Sequence, residues 1–457
     1  MAEITTTDSD GSLPMVQGLR IEGGELETAS KKPSPVFYGM GTLGISLGVE
    51  TFGAFAYFYY VDFLGLAFSL AALIRTIYAV WDALNDPLFS YLSDSTRTRW
   101  GRRRPWLLIG VPLFALSFIL IFTGPVSQTG GQSSLFWYLL GLTLLYETFV
   151  TIVGVNYSAL FPELFQTVPE RLRASAFNRT GLIAGLFVSL ALTPMIFVQL
   201  GFQKMALVYA ALAGSLLFTA ILKYKENPAY QTPRIVGPWT TFREIARGRA
   251  FWLYALTLTI FAFAVNLFPF AIPFYSKYSL GADAGAITLL FGVSLAAALG
   301  SVPVWVKIHP RWGTAGIFLR SLAIILVGGL CLGLAPDLST AVIAVAIFGL
   351  GWGGCQVCFD VIRASLVDRH FNLTGQRSEA AYFSLLGFGI HLSGVLQGAA
   401  MLVVGILFDY VSGDQPGPQP GAAFRFLIGG FPAVSLGLAM LLARRFFIAS
   451  ELRPASD

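Results

Sequence analysis

Two carboxylates, Asp82 and Asp86, interrupt the apolar run VWDALNDPLFSYL, and Asn85 lies beside them. On a helix, residues four apart lie on one face, one turn from each other, so these side chains form one oxygen-rich site. Hard cations bind carboxylate and amide oxygens, and two adjacent carboxylates repel each other until a cation or a proton arrives. The pattern therefore predicts a cation-binding site, with a structural clamp to a neighbouring helix as the alternative.

Two further acids, Glu50 and Glu147, lie near the middle of the apolar runs SLGVETFG and LLYETFV. An ionisable residue at such a depth in a membrane is a functional candidate by default. Each acid is predicted to bind substrate, to pair with Arg179 or to relay a proton, and a buried structural pair is the alternative. His391, in a later apolar run, is predicted to line a substrate cavity unless it is a hydrogen-bonded structural histidine.

Aromatic side chains in the same runs predict stacking on a sugar ring or a path for a lipid, with ordinary packing as the alternative. The candidates are Trp81, Tyr146, Tyr157 and Trp352. Near the end of another apolar run, Asp360 and Arg363 are predicted to pair across a cytoplasmic gate.

The composition identifies the elements that must position these residues. The 457 residues are 55% hydrophobic and 12% charged, whereas soluble domains carry roughly 25% charged residues. Apolar runs of about 20 residues, enough to cross a bilayer, recur along the chain. We therefore predict an all-α, multi-pass integral membrane protein with twelve spans, at 37–61, 69–91, 105–123, 135–160, 179–200, 203–222, 250–276, 285–307, 314–334, 339–360, 380–407 and 423–448.

The distribution of the basic residues along the chain predicts the membrane topology. The net charge is +5, but Lys and Arg are spread over short loops and do not form a basic domain, so no nucleic-acid partner is expected. Most of them fall on one side if both termini are cytoplasmic, as the positive-inside rule requires. The polar tail, residues 1–36, lacks the pattern of a cleavable signal peptide. We expect a bacterial inner-membrane protein in contact with membrane lipids.

The predicted spans divide into two sets of six. A polar segment at 223–249 separates the bundle 37–222 from the bundle 250–448, and a short tail, 449–457, follows. Arg-Trp-Gly occurs after the second span, at 99–101, and after the eighth, at 311–313. Parallel six-helix repeats are the architecture of rocker-type transporters.

Other function classes are poorly supported by the motifs. Gly44-Ile45-Ser46-Leu47-Gly48 matches G-x-S-x-G, but it lies in an apolar helix and lacks the strand-turn-helix context of a nucleophile elbow. No Walker A sequence is present, and Cys355 and Cys358 are expected to be packing residues. We predict no enzyme activity and no cofactor; a non-transporting membrane sensor is a further alternative, less favoured than a symporter.

The segment VWDALNDPLFSYLSDSTRTRWGRRRPW closely resembles the signature of the glycoside-pentoside-hexuronide:cation symporters, the melibiose-permease-like branch of the major facilitator superfamily. FYYVDFLG and YETFVT extend the resemblance. It implies a major facilitator fold and symport coupled to Na⁺, Li⁺ or H⁺. One such chain encloses a complete pathway, so a monomer is expected. The cation ligands of that family fall on Asp82, Asp86 and Thr151, and a sugar-contacting arginine falls on Arg179. The basic loop then anchors the cytoplasmic side and completes a gate through Arg97, Arg99, Arg102, Arg103 and Arg104.

The sequence departs from the melibiose-type pattern at three positions. The sugar-binding aspartate of the first helix falls on Ser46, the shared aspartate of the fourth on Gly154, and the lysine of the eleventh near Ile390 or His391. The fourth-span sequence also resembles the sodium-dependent lysophosphatidylcholine symporters, whose membrane glutamate matches Glu147. The cargo implied is a sugar, glycoside or related small solute, with a lysophospholipid or other amphiphile as the alternative.

Overall fold

The computed structural model describes residues 34–124, 131–224, 245–374, 379–413 and 416–449. Within those ranges the chain is helical apart from short connections and an isolated bridge between Thr98 and Gly101. The predicted tails, apart from their few residues nearest the helices, and most of the predicted central loop lie outside the described residues.

Long helices follow one another, several of them continued by a π-helical turn. In chain order they are α1 (Pro35–Phe58, continued by Tyr59–Phe63), α2 (Phe68–Ser95), α3 (Arg104–Thr123), α4 (Gly131–Leu164), α5 (Val168–Leu186, continued by Phe187–Leu192), α6 (Thr193–Lys223), α7 (Arg249–Phe274, continued by Tyr275–Ser279), α8 (Ala284–Leu334), α9 (Leu338–Thr374), α10 (Glu379–Leu407), α11 (Pro420–Arg425, continued by Phe426–Gly430) and α12 (Phe431–Ala449).

Eight helical stretches of the described residues are long and apolar enough to cross a membrane. Two of them, Pro169–Lys223 and Ala284–Leu334, are each interrupted by a glycine with positive φ: 77° at Gly201 and 64° at Gly313. Glycine adopts this backbone conformation without a steric penalty. The breaks coincide with the predicted boundaries at 200–203 and 307–314. The structure is that of a multi-pass membrane protein, while the count of twelve spans stays a prediction because α1 and α2 are not among the eight.

Some helices extend past the predicted spans. Helix α2 ends at Ser95 and α9 at Thr374, although their apolar runs were predicted to end at 91 and 360. Backbone hydrogen bonds continue a helix into polar surroundings without any need for apolar side chains. Hydropathy therefore locates the membrane-embedded part of a helix, not its ends.

Glycines allow α1 and α5 to approach closely. A Cβ atom on Gly181 would overlap the carbonyl oxygen of Gly39, and one on Gly185 would lie 2.5 Å from Cβ of Ser46. Small residues at helix interfaces permit this kind of packing in membranes. The approach matters because α1 carries Glu50.

We expect Gly181→Ala to lower the thermal stability of the purified protein. The added methyl group must displace the backbone of α1, and overpacking of this kind costs about 1–3 kcal/mol. Gly141→Ala is the matched control, because a Cβ atom there meets nothing within 4 Å. The melting temperature should fall for the first variant and hold or rise for the second; equal melting temperatures would contradict this packing.

The ends of α1 and α7 are built alike. Phe-Tyr at 58–59 and again at 274–275 opens a π-helical turn, and Leu-Gly follows five residues after each tyrosine, with Gly65 and Gly281 at φ 71° and 61°. The two ends meet: Lys277 Nζ lies 2.7 Å from a carboxylate oxygen of Asp62, and Tyr278 also donates a hydrogen bond to this carboxylate. Asp62 is almost fully buried in the contact. We call this contact the Asp62 lock; it joins the first and second sets of helices.

Candidate functional site

His391 lies between the two carboxylates of the predicted cation site. Its Nδ1 atom is 2.6 Å from an oxygen of Asp82, and its Nε2 atom is 3.3 Å from an oxygen of Asp86. The acids come from successive turns of α2, and the histidine comes from α10. One imidazole ring therefore bridges both acids.

A chain of polar contacts continues from Asp86 into α4. The Thr151 hydroxyl is 3.1 Å from an oxygen of Asp86 and 3.4 Å from an oxygen of Glu147. The hydroxyl of Tyr78 donates to the other Glu147 oxygen at 2.5 Å. We call these residues the acid network: Tyr78, Asp82, Asp86, Glu147, Thr151 and His391.

The acid network is exposed unevenly. The side chain of Asp86 is 40% exposed and that of Asp82 13% exposed, while Glu147 and Thr151 are buried. Asn85 is fully buried, and among the described residues neither its amide oxygen nor its nitrogen has a hydrogen-bond partner. An unsatisfied buried amide costs about 1–3 kcal/mol. Two carboxylates, a hydroxyl and an unpaired amide are oxygen donors of the kind that a hard cation uses.

A second contact between α2 and α10 was missed by the sequence reasoning. The guanidinium of Arg75 donates to Oε1 of Gln397 from Nε at 3.1 Å and from Nη2 at 2.6 Å. It also lies over the rings of Tyr57 and Tyr78, with its Cζ atom 5.8 and 5.2 Å from their centroids. The available signal was an arginine inside the predicted span 69–91, because a charge at that depth marks a functional candidate.

Glu50 and Trp352 line a separate cavity of ≈ 430 Å³ between the two sets of helices. Asn266 and Gln356 also face it, and most of the remaining lining is apolar. Glu147 is not in this lining. His391 is not part of it either, although its neighbour Ile390 is.

The other aromatic candidates pack between helices of the first set. The indole nitrogen of Trp81 donates to the Thr148 hydroxyl at 3.1 Å. Tyr157 stacks on Tyr38 at a centroid distance of 4.7 Å, and its hydroxyl donates to the Tyr38 carbonyl at 2.7 Å. Tyr146 is buried against Phe52 and phenylalanines of α3. None of these three lines the cavity.

Arg179 lies in an ion pair between the helix sets. Its Nη2 atom is 3.3 Å from Oδ2 of Asp360, whose other oxygen is 2.8 Å from Arg363 Nη2 on the same helix. Arg179 and Asp360 are both more than half exposed. The predicted gate pair, Asp360 and Arg363, therefore has a third member. Arg179 of α5 contacts Asp360 of α9 and so joins the two helices.

The basic loop pairs with acids of the first helix set. Arg102 is 2.8 Å from an oxygen of Glu163, and Arg103 is 2.7 Å from an oxygen of Asp94 and 3.4 Å from Glu163. These contacts join the end of α2 to the end of α4. Arg97 and Arg99 are exposed, and Arg104 begins α3.

A family model described as MFS/sugar transport protein matches residues 37–450. The chain belongs to this family. It is a membrane transporter and not an enzyme, so the enzyme alternative from G-x-S-x-G is excluded. The predicted family is confirmed.

Among similar proteins, the glucuronide carrier protein homolog of Escherichia coli strain K12 is 26% identical over 424 residues, which cover 89% of this chain and 90% of that protein. The sodium-dependent lysophosphatidylcholine symporter 1 of Mus musculus is 32% identical over 198 residues, 42% of this chain and 37% of the mouse protein. The transporter thus matches the bacterial relative nearly end to end and the mouse relative over a shorter part.

The fold is shared with solved transporters. A structure from work on substrate recognition in proton-dependent oligopeptide transporters aligns with a TM-score of 0.66, over 92% of this chain and 99% of that chain, at 13% identity. At this identity the likeness concerns the fold alone. The predicted major facilitator fold is confirmed.

Proposed function

We propose that this transporter is a Na⁺-coupled symporter that moves a small organic solute by alternating access, with H⁺ as the alternative coupling ion. Asp82 and Asp86 are the carboxylate ligands of the ion, and Thr151 and Asn85 supply neutral oxygens. The observation that carries the proposal is the meeting of both acids with His391 and Thr151 at 2.6–3.3 Å. The sodium dependence in the name of the mouse relative supports Na⁺.

In this proposal, the coupling ion competes with His391 for the two carboxylates. A Na⁺ ion between Asp82 and Asp86 needs the oxygen atoms that the imidazole nitrogens now contact. When the ion binds, the ring leaves and one tether between α2 and α10 is lost. Ion binding thereby changes the relative stability of the conformations, which is what coupling requires.

Two contacts join the proposed moving bodies, 37–222 and 250–448. The first is the Asp62 lock between the ends of α1 and α7, and the second is the Arg179–Asp360 pair between α5 and α9. Both contacts are formed in this structure, so rocking of one bundle against the other requires that each of them breaks at some stage of transport. We propose that the protein lies in the inner membrane of a bacterium and that both of its termini are cytoplasmic. We also propose that it works as a monomer.

The energy available from one ion is sufficient for accumulation. Moving one positive charge across 100 mV yields about 2.3 kcal/mol, or roughly fifty-fold concentration of cargo. A direct ATP-driven step is unnecessary for gradients of this size.

Two cargo classes fit the family. The bacterial relative is named for glucuronide, which supports a sugar or glycoside. The mouse relative is named for lysophosphatidylcholine, which supports an amphiphile. The largely apolar lining of the ≈ 430 Å³ cavity favours the second.

The proposal predicts that Na⁺, but not K⁺ at equal concentration and pH, raises the melting temperature of the purified full-length chain. A ligand that binds only the folded state stabilises it, by about 2.7 kcal/mol at a hundred times its Kd. Stabilisation on lowering the pH, with no effect of Na⁺, would reassign the coupling ion to H⁺. Indifference to Na⁺, K⁺ and pH would contradict ion-coupled symport.

A further inference from the structure

The cavity that contains Glu50 has an aromatic lining. Six rings face it, from α7, α8 and α9: Phe261, Phe268, Phe291, Phe348, Trp352 and Phe359. Several pack on one another, such as Phe268 stacked on Phe348 with ring centroids 4.5 Å apart. The faces of aromatic rings carry negative charge density and attract organic cations.

Glu50 is the acid in this lining. It comes from the middle of α1, and no hydrogen bond or ion pair to it is present within the described ranges. An unpaired carboxylate at that depth is costly, which favours a positively charged partner. Arg363 also reaches the cavity, but its guanidinium is already 2.8 Å from Asp360. The cavity therefore holds one acidic side chain that has no partner among the described residues.

We infer that the cavity binds an organic ammonium group, so that the cargo of the proposed symporter is an amphiphilic amine or quaternary ammonium compound. This assignment rests on the proposed function for its transport role. Glu50 neutralises the cationic group, and the rings of Phe268, Phe348 and Trp352 surround its alkyl substituents. The apolar remainder accommodates the rest of the molecule.

A sugar fits this lining less well. Each buried hydroxyl without a partner costs about 1–3 kcal/mol. Besides Glu50 and the paired Arg363, the lining offers Asn266, Ser294, Gln356 and the indole of Trp352 as polar groups. An ammonium compound needs one carboxylate and ring faces, and both are present.

The test is a charge series on the detergent-purified full chain. Phenylbutylamine, phenylbutanol and phenylbutyrate have similar size and differ in charge, and calorimetry gives their Kd values. We expect the amine to bind at least about tenfold more tightly than the alcohol, and the carboxylate to bind weakest. Equal affinity of amine and alcohol would overturn the inference.

Glu50→Gln should remove the preference by weakening amine binding to the level of the alcohol. Asp409→Asn is the charge-matched control: Asp409 has a positive φ of 48°, which Asn tolerates, and it is not in the cavity lining. If Glu50→Gln does not fold, Trp352→Leu and Trp352→Phe replace it. The first should lower amine affinity and the second should keep most of it. Unchanged amine affinity in Glu50→Gln or in Trp352→Leu would overturn the inference.

The experiments distinguish failure of the ammonium-site proposal from failure of the symport proposal. If Na⁺ stabilises the protein but the amine has no preference over the alcohol, the ammonium assignment is wrong and ion coupling stands. If the amine binds through Glu50 but neither Na⁺ nor pH affects stability, the ammonium site stands and the symport proposal is wrong.

Discussion

Asp82→Asn and Asp86→Asn are each expected to abolish Na⁺-dependent stabilisation of the protein. Each change removes one full negative charge and leaves a single carboxylate for the ion. The loss of an outer-shell partner of a bound metal already costs about 10–100-fold in affinity, and the loss of a direct charged ligand should cost more. Calorimetric titration with Na⁺ should give an affinity reduced by more than about a hundredfold in both variants.

Asp283→Asn is the matched control for these variants. Asp283 caps α8 by accepting hydrogen bonds from the amides of Gly285 and Ala286, and Asn caps helices about as well as Asp. Its Na⁺ affinity should equal that of the unaltered protein. Wild-type Na⁺ affinity in either carboxylate variant would exclude that side chain as a ligand and favour the structural clamp.

His391→Ala should increase the affinity for Na⁺. In the structure the imidazole holds the oxygen atoms that the ion would use, at 2.6 and 3.3 Å. Hydrogen bonds to charged groups are worth about 1.5–3 kcal/mol, so removing the competitor should tighten Na⁺ binding by about ten- to a hundredfold. The same variant should lose coupling, because ion binding no longer breaks a contact between α2 and α10.

His309→Asn serves as the histidine control. His309 lies in α8, where its Nε2 atom is 3.0 Å from the Thr314 hydroxyl, and it does not contact the acid network. Its Na⁺ affinity should be unchanged. Weaker Na⁺ binding in His391→Ala would mean that the imidazole is itself a ligand of the ion, contrary to the competition proposed above.

The helices were predictable from the sequence because membrane spans depend on local composition. Apolar runs of sufficient length located the helices, and the polar breaks near Gly201 and Gly313 coincided with backbone that leaves the helical region. The helix ends in polar surroundings were not predictable in the same way. The bilayer constrains only the part of a helix that it surrounds.

The candidate site was predictable only where its residues are close in sequence. Asp82 and Asp86 share a face because helical geometry places residues four apart together. The partner of both, His391, is 309 positions away from Asp82. The pairing of α2 with α10 depends on packing of the whole fold, and no local pattern reports it. Arg179 was predicted to pair with Glu50 or Glu147, and the resemblance assigned it a sugar contact; in the structure its Nη2 atom lies 3.3 Å from Oδ2 of Asp360.

Two charged residues in or beside predicted spans were further signs of contacts between helices. Arg75 is a charge within a predicted span, and Asp62 is an acid at the end of another. Both form contacts between the helix sets, to Gln397 and to Lys277. A charge that persists in an apolar run implies a partner, even where the sequence does not identify the partner.

The central claim is that Asp82 and Asp86 hold the coupling ion, and equilibrium binding of radioactive Na⁺ to the purified protein tests it most directly. The measurement compares the unaltered chain with the Asp82→Asn/Asp86→Asn double variant, with K⁺ as competitor. We predict one saturable Na⁺ ion per chain, unaffected by K⁺, and none in the double variant. Saturable Na⁺ binding that survives in the double variant would contradict the assignment of the ion to these two carboxylates.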